Sequence, residues 1–99
     1  MKIVWTPIAK ESYNEIEVFL MVRWNIKITK EFVVAVKQTM DIIKQHPYCF
    51  QKWEHDNSYL KGMVNSKVSF FYIVEIDKIV VHLFWNNMQN PENLEENLR

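Results

Sequence analysis

The sequence predicts an α+β domain in which a helix hairpin packs on one face of a largely antiparallel sheet of about four strands. Two observations predict this fold class. Apolar residues recur at steps of three and four between positions 7 and 46, and at steps of two from about position 59. These are the periods of amphipathic helices and of strands. The predicted order is β-α-α-β-β-β, and laying both helices on one side of the sheet is the simplest way to bury their apolar faces.

The first strand and the first helix are predicted at the start of the chain. Residues 2–5, KIVW, form a short apolar run, and Thr6-Pro7 follows with a hydroxyl N-cap and a proline at the first helical position. The apolar stripe of this helix has five members at helical spacing: Ala9, Tyr13, Ile16, Leu20 and Trp24. Residues 25–27 interrupt the pattern and are predicted to end the helix.

The second helix is predicted to begin at Thr29, a second hydroxyl N-cap, and to end near His46. Its end is set by Pro47, because a proline disfavours helical geometry in the residue before it. Its apolar stripe also has helical spacing: Phe32, Val36, Met40 and Ile43. A link of about four residues between the two helices predicts an antiparallel hairpin.

Three strands are predicted in the second half of the chain, at residues 59–64, 67–76 and 79–85, after an irregular connector over residues 48–58. On the middle strand, the alternation places one set on a common face: Val68, Phe70, Tyr72, Val74 and Ile76. On the last strand it places Ile79, Val81, Leu83 and Trp85 on one face, and Val80, His82 and Phe84 on the other. Strands this apolar on both sides lie centrally in a sheet.

The composition of the chain limits the kinds of function that it can have. The 99 residues form one domain, and the 12 basic and 12 acidic side chains give no basic surplus for gripping phosphates. A single cysteine, Cys49, excludes a disulfide framework and cysteine-rich zinc sites, so we expect no metal and no cofactor. The longest apolar run, residues 70–74, is too short to span a bilayer. We therefore expect a cytoplasmic protein without a membrane partner.

The order of these features resembles the RelE/ParE superfamily of type II toxins. Four segments over nearly the whole chain carry the resemblance: VWTPIAKESYNEIEVFL, the helix end IIKQHP, LKGMVNSKVSFFYIVE and IVVHLFWNNMQNPENL. The closing FWxxxQxP pattern is similar to one subgroup, in which aspartate and arginine often stand at the positions of Asn86 and Met88. The resemblance implies a small toxin that is neutralised by a cognate antitoxin. It also implies a target, either mRNA on the ribosome or, in the ParE branch, DNA gyrase.

The resemblance to RelE-like members implies four catalytic candidates. Cleavage of mRNA needs cations on the scissile phosphate and groups that take and return a proton. Lys61 and Lys67 would supply the charge, and Tyr72 or His82 the proton transfer. Each also has a structural interpretation: the lysines as solvated strand ends, the tyrosine as core area, and the histidine as a hydrogen-bonded residue at the sheet edge.

The last strand lacks the arginine that RelE-like members carry near its end. Asn86, Asn87 and Met88 stand in that neighbourhood, and a neutral amide lacks the charge that binds a phosphate. This departure favours a ParE-like toxin that acts by binding. A ribosome-dependent mRNA endonuclease and a degenerate, non-toxic binding module are the alternatives.

The end of the last strand supplies the binding candidates, namely Trp85, Asn86, Asn87 and Gln89. An indole beside amides is a suitable anchor for a partner protein, although core packing explains Trp85 equally well. The amides are also expected to bond the loose backbone groups at the strand end and to start the turn before Pro91.

Overall fold

The computed structural model describes residues 1–88, which form two helices and five strands. The α+β class is as predicted. In chain order the elements are β1 (Lys2–Trp5), α1 (Pro7–Arg23), α2 (Ile26–Gln45), β2 (Lys52–Trp53), β3 (Asp56–Met63), β4 (Val68–Val74) and β5 (Lys78–Asn86). The sheet has one strand more than the predicted order contains, because the connector contributes the two-residue β2.

The strand order in the sheet is β1-β5-β4-β3-β2. β1 pairs with β5 in parallel, whereas every other pair is antiparallel, so the prediction of a largely antiparallel sheet is confirmed. β1 covers only the first half of β5, with its register running from Lys2 opposite Lys78 to Trp5 opposite Val81. The second half of β5 therefore extends beyond the strand beside it.

Side-chain caps begin both helices. The predicted cap of α1 is confirmed, because the Thr6 hydroxyl oxygen accepts a hydrogen bond from the Ala9 N–H at 3.0 Å. The predicted start of α2 at Thr29 is wrong. The Asn25 side chain accepts from the Ile28 N–H at 2.9 Å, and the Thr29 hydroxyl donates to the Asn25 carbonyl one turn later, at 3.0 Å. Asparagine is as good an N-cap as threonine, so the helix begins at the first cap in the chain and the link shortens to two residues.

The main core lies between the helices and one face of the sheet. Its buried apolar members come from α1, α2, β3, β4 and β5: Ala9, Ile16, Phe32, Val36, Ile43, Leu60, Val68, Phe70, Tyr72, Ile79, Val81 and Phe84. Two residues predicted on the apolar faces are exposed instead. Trp24 is 61% exposed at the end of α1, and Ile76 is fully exposed in the β4–β5 turn.

A β-bulge at His82 reverses the alternation of β5. Phe71 on β4 lies opposite Leu83, whereas the next residue, Tyr72, lies opposite Val81. His82 is therefore an extra residue in the ladder, and every side chain after it faces the side opposite to the one that simple alternation predicts.

The bulge corrects the predicted faces of β5. Phe84 packs in the main core beside Ile79 and Val81, whereas Leu83 and Trp85 point to the opposite face of the sheet. There they form the outer cluster, which we define as Trp53, Phe71, Leu83 and Trp85, with Tyr59 packed against it. Sequence periodicity cannot reveal this change, because both faces of β5 are apolar.

Candidate functional site

Beyond the end of β1, residues at the start of α1 form the hydrogen bonds to the edge of β5. The Val81 carbonyl accepts from the Thr6 N–H at 3.0 Å, and the His82 carbonyl accepts from the Thr6 hydroxyl at 3.2 Å. Farther along, the Phe84 N–H donates to the hydroxyl of Ser12 at 3.0 Å. These bonds hold α1 across the bulge, and they fix the position of the second half of β5 relative to the helix.

Two of the four catalytic candidates lie on the outer face of the sheet, the face opposite the helices. Lys61 is exposed and pairs with Phe71, a member of the outer cluster. His82 is half-buried, and its ring stands edge-on to that of Tyr59 with 5.4 Å between centroids. Since β3 and β5 are separated by one strand, Lys61 and His82 lie on strands about 10 Å apart.

Burial lowers the pKa of the His82 imidazole below its usual 6.5, and the negative charge of Glu75 opposes this effect only in part. The imidazole is therefore neutral at neutral pH. A neutral imidazole retains one nitrogen that accepts a proton.

Lys67 lies on the helix side of the sheet. Its ammonium nitrogen is 5.6 Å from the centre of the Trp24 ring, a cation–π geometry between the β3–β4 turn and the end of α1. Lys67 and Lys61 therefore point to opposite sides of the sheet. The structure does not bring the two predicted phosphate-binding charges together.

Tyr72 is fully buried in the main core. Its hydroxyl donates a hydrogen bond to the Pro47 carbonyl at 2.8 Å, which ties β4 to the residues after α2. Burial raises the pKa of this hydroxyl, with a smaller contribution from Cys49. The group therefore stays protonated at neutral pH, and its proton is already donated to a backbone partner.

The residues at the end of β5 pack against, or form hydrogen bonds with, other residues of the same chain. Trp85 is 5% exposed and packs in the outer cluster. Its environment is that of a packed core residue, the second of the two interpretations that the sequence allows. The buried Asn86 accepts from the Met88 N–H at 3.0 Å. Asn87 accepts from the Ser69 hydroxyl at 3.0 Å, and its N–H donates to the Lys67 carbonyl at 2.8 Å. The expected bonding of amides to loose backbone groups is thus observed for Asn86. Gln89 lies outside the described residues.

A groove that the sequence did not predict runs between α1 and the second half of β5. We call it the α1 groove. It encloses about 440 Å³, and its lining comes from these two elements: Ile8, Glu11, Ser12, Glu15, Ile16, Phe19, Leu83, Phe84, Trp85 and Asn86. A second cavity of about 420 Å³ adjoins it toward Trp24 and Lys67, and the two share Ile16, Phe19 and Asn86. Ser12 by itself gave no signal of the groove, because only the structure shows that this serine is buried.

Over residues 1–88, no three histidine, cysteine, aspartate or glutamate side chains cluster closely enough to hold a metal ion. Neither helix of this described region is long and apolar enough to cross a membrane.

Comparison with known proteins gives likeness in structure alone. The sequence matches no protein-family model and no curated protein. Among 11 matching solved chains is a YoeB/ParE toxin from Agrobacterium tumefaciens, with a TM-score of 0.62 and 16% sequence identity. The match covers 87% of this chain and 98% of that chain. The predicted RelE/ParE-like fold is therefore confirmed.

Proposed function

We propose that this protein is the toxin of a type II toxin-antitoxin module. It inhibits growth by binding an essential cytoplasmic target, as ParE-like toxins do, and a cognate antitoxin neutralises it. The likeness to a YoeB/ParE toxin over nearly the full length of both chains supports the general assignment. In this role the protein would act in the cytoplasm and stabilise a plasmid that carries its module.

One observation favours binding over RNA cleavage, namely that the four catalytic candidates do not converge on one site. General acid–base catalysis requires its groups within hydrogen-bond reach of one reacting centre. Lys61 lies on the outer face, whereas Lys67 contacts Trp24 on the helix side and Tyr72 donates its proton to Pro47. No single substrate position on either face reaches all of these groups. DNA gyrase is the target that the ParE-like assignment proposes.

Induced expression in a bacterial host tests the proposal. We expect growth arrest, relief of the arrest when the adjacent small gene is co-expressed, and inhibition of DNA supercoiling by gyrase in the purified system. The Lys61→Ala and Lys67→Ala variants should still arrest growth. If the protein neither slows growth nor co-purifies with the product of the adjacent gene, the toxin assignment is wrong. Tight antitoxin binding without growth arrest would instead identify a degenerate binding module.

A second candidate function is ribosome-dependent mRNA cleavage. The observation that favours it is the presence of Lys61 and His82 on the same outer face of the sheet, with Tyr59 against the histidine ring. Transcript cleavage in a translating extract tests it. The endonuclease assignment is correct if Lys61→Ala and His82→Ala abolish cleavage while Lys67→Ala, on the opposite side of the sheet, retains it. Unaltered transcripts with the wild-type protein would eliminate it.

A further inference from the structure

The floor of the α1 groove is an edge of β5 that lacks a neighbouring strand within the described chain. Ladder hydrogen bonds alternate between the two sides of a strand. The Asn87 N–H donates toward β4, to Lys67, and the Phe84 N–H points the other way, to Ser12. The backbone groups of Phe84 and Asn86 therefore face α1. Because the register of β1 ends opposite Val81, the Phe84 carbonyl and both backbone groups of Asn86 lie beyond the last strand pair on that side.

The walls of the groove are apolar and its rim is acidic. Ile8, Ile16 and Phe19 of α1 line its length, and Ile8 is 50% exposed. Glu11 and Glu15, both exposed, lie one helical turn apart on the same wall. No basic side chain lines the groove in the part of the chain that the structure describes, so these two carboxylates set its charge.

We propose that the α1 groove binds an extended, basic segment of the antitoxin as an added strand on β5. The identity of the partner rests on the function proposed above. The segment would pair with the Phe84 carbonyl and the two backbone groups of Asn86, because the Phe84 N–H is already donated to Ser12. It would seat apolar side chains against Ile16 and Phe19, and set a lysine or arginine against Glu11 and Glu15.

Backbone chemistry selects an extended segment rather than a helix. A helix satisfies its interior N–H and carbonyl groups within itself, so it has few main-chain groups to offer an open sheet edge. An extended peptide presents a donor and an acceptor at every second residue, which is the complement of the β5 edge. Charge then selects a basic sequence, because two carboxylates on one wall favour cationic side chains and disfavour acidic ones.

Charge reversal tests the groove. Binding of the purified product of the adjacent small gene is measured for the wild-type chain and for the double variant Glu11→Lys/Glu15→Lys. The matched control is Asp41→Lys/Glu54→Lys, which reverses two exposed acids outside the groove. We expect the association rate constant to fall roughly tenfold or more in the groove variant, with a weaker dependence on salt, and to change little in the control. Circular dichroism checks that both variants fold.

Hydrogen exchange locates the bound segment independently of mutation. We expect the Asn86 amide to exchange more slowly in the complex than in the free chain, because an added strand supplies its acceptor.

Binding that is equal in wild type and groove variant, with no added protection at Asn86, would overturn the groove assignment and leave the toxin assignment intact. Concentration-dependent self-association that the groove variant abolishes would also overturn it, because the occupant would then be a second copy. If the adjacent gene product does not bind the wild-type chain at all, the proposed function fails and the inference fails with it.

Discussion

The Ser12 hydroxyl on α1 accepts a hydrogen bond from the Phe84 N–H on β5 at 3.0 Å, between buried residues 72 positions apart in the chain. The same hydroxyl donates to the Ala9 carbonyl at 2.9 Å. One side chain thus stands where a further residue of β1 would otherwise pair with β5. It lets the chain leave the sheet at Thr6 and begin α1 without leaving a buried amide unpaired.

Replacement of Ser12 by alanine should destabilise the protein. The change leaves the Phe84 N–H buried without an acceptor, and an unsatisfied buried donor costs about 1–3 kcal/mol. Urea denaturation followed by circular dichroism measures the free energy of unfolding. Ser66→Ala, at an exposed turn serine, is the control and should change it little. Equal stability of the two variants would show that the Ser12 bond contributes nothing.

Replacement of Gly62 by alanine should also destabilise the fold. A Cβ atom at this position would overlap the Phe70 ring, which is fully buried in the main core. Overpacking of this kind costs about 1–3 kcal/mol. The measurement is the denaturation midpoint of Gly62→Ala, alone and combined with Phe70→Leu. If the two destabilisations simply add, without partial rescue in the double variant, steric overlap is not the cause.

Replacement of Tyr72 by phenylalanine should preserve growth arrest and reduce stability by about 1 kcal/mol, because it removes the bond to the Pro47 carbonyl. Loss of growth arrest in a folded Tyr72→Phe variant would give the hydroxyl a role in function. Tyr48→Phe, at a residue that is 70% exposed, is the control.

The same tyrosine should make stability fall in alkali. Burial raises the pKa of Tyr72 in the folded state above its usual 10.0. Above about pH 10 the unfolded chain releases this proton before the folded chain does, so stability declines as pH rises. Denaturation between pH 9 and pH 11 should show a smaller decline for Tyr72→Phe than for Tyr48→Phe. An identical decline would contradict the prediction.

His82 should make stability fall in mild acid. Burial lowers the pKa of His82 in the folded state, so below about pH 6.5 the unfolded chain binds a proton that the folded chain does not. The folding stability that the neutral His82 contributes is fully present above pH 6.5, and it is lost as the pH falls through the lowered pKa of the folded state. The free energy of unfolding at pH 7.5 and pH 5.5 measures it. His82→Gln should reduce the difference, whereas His46→Gln, at the exposed C-cap of α2, should retain it.

Much of the fold could be predicted because its signals are local. Thr6-Pro7 begins α1 and Pro47 follows the end of α2, since caps and prolines act through backbone groups a few residues away. The start of α2 is predicted wrongly because its signals are local as well. Asn25 and Thr29 are both good caps, and a local signal does not choose between two equivalent candidates.

The sequence by itself determined the periods, the cap of α1, the order of the two helices and four of the five strands, and hence the α+β class. Only the tertiary structure decided which side chains share a face. One extra residue at His82 reverses the alternation of β5, and the turn before β4 places Lys67 beside Trp24 while Lys61 stays on the outer face. The early end of β1 opens the α1 groove. These features depend on pairing between distant strands, where a shift of one residue alters the face and leaves the local pattern unchanged.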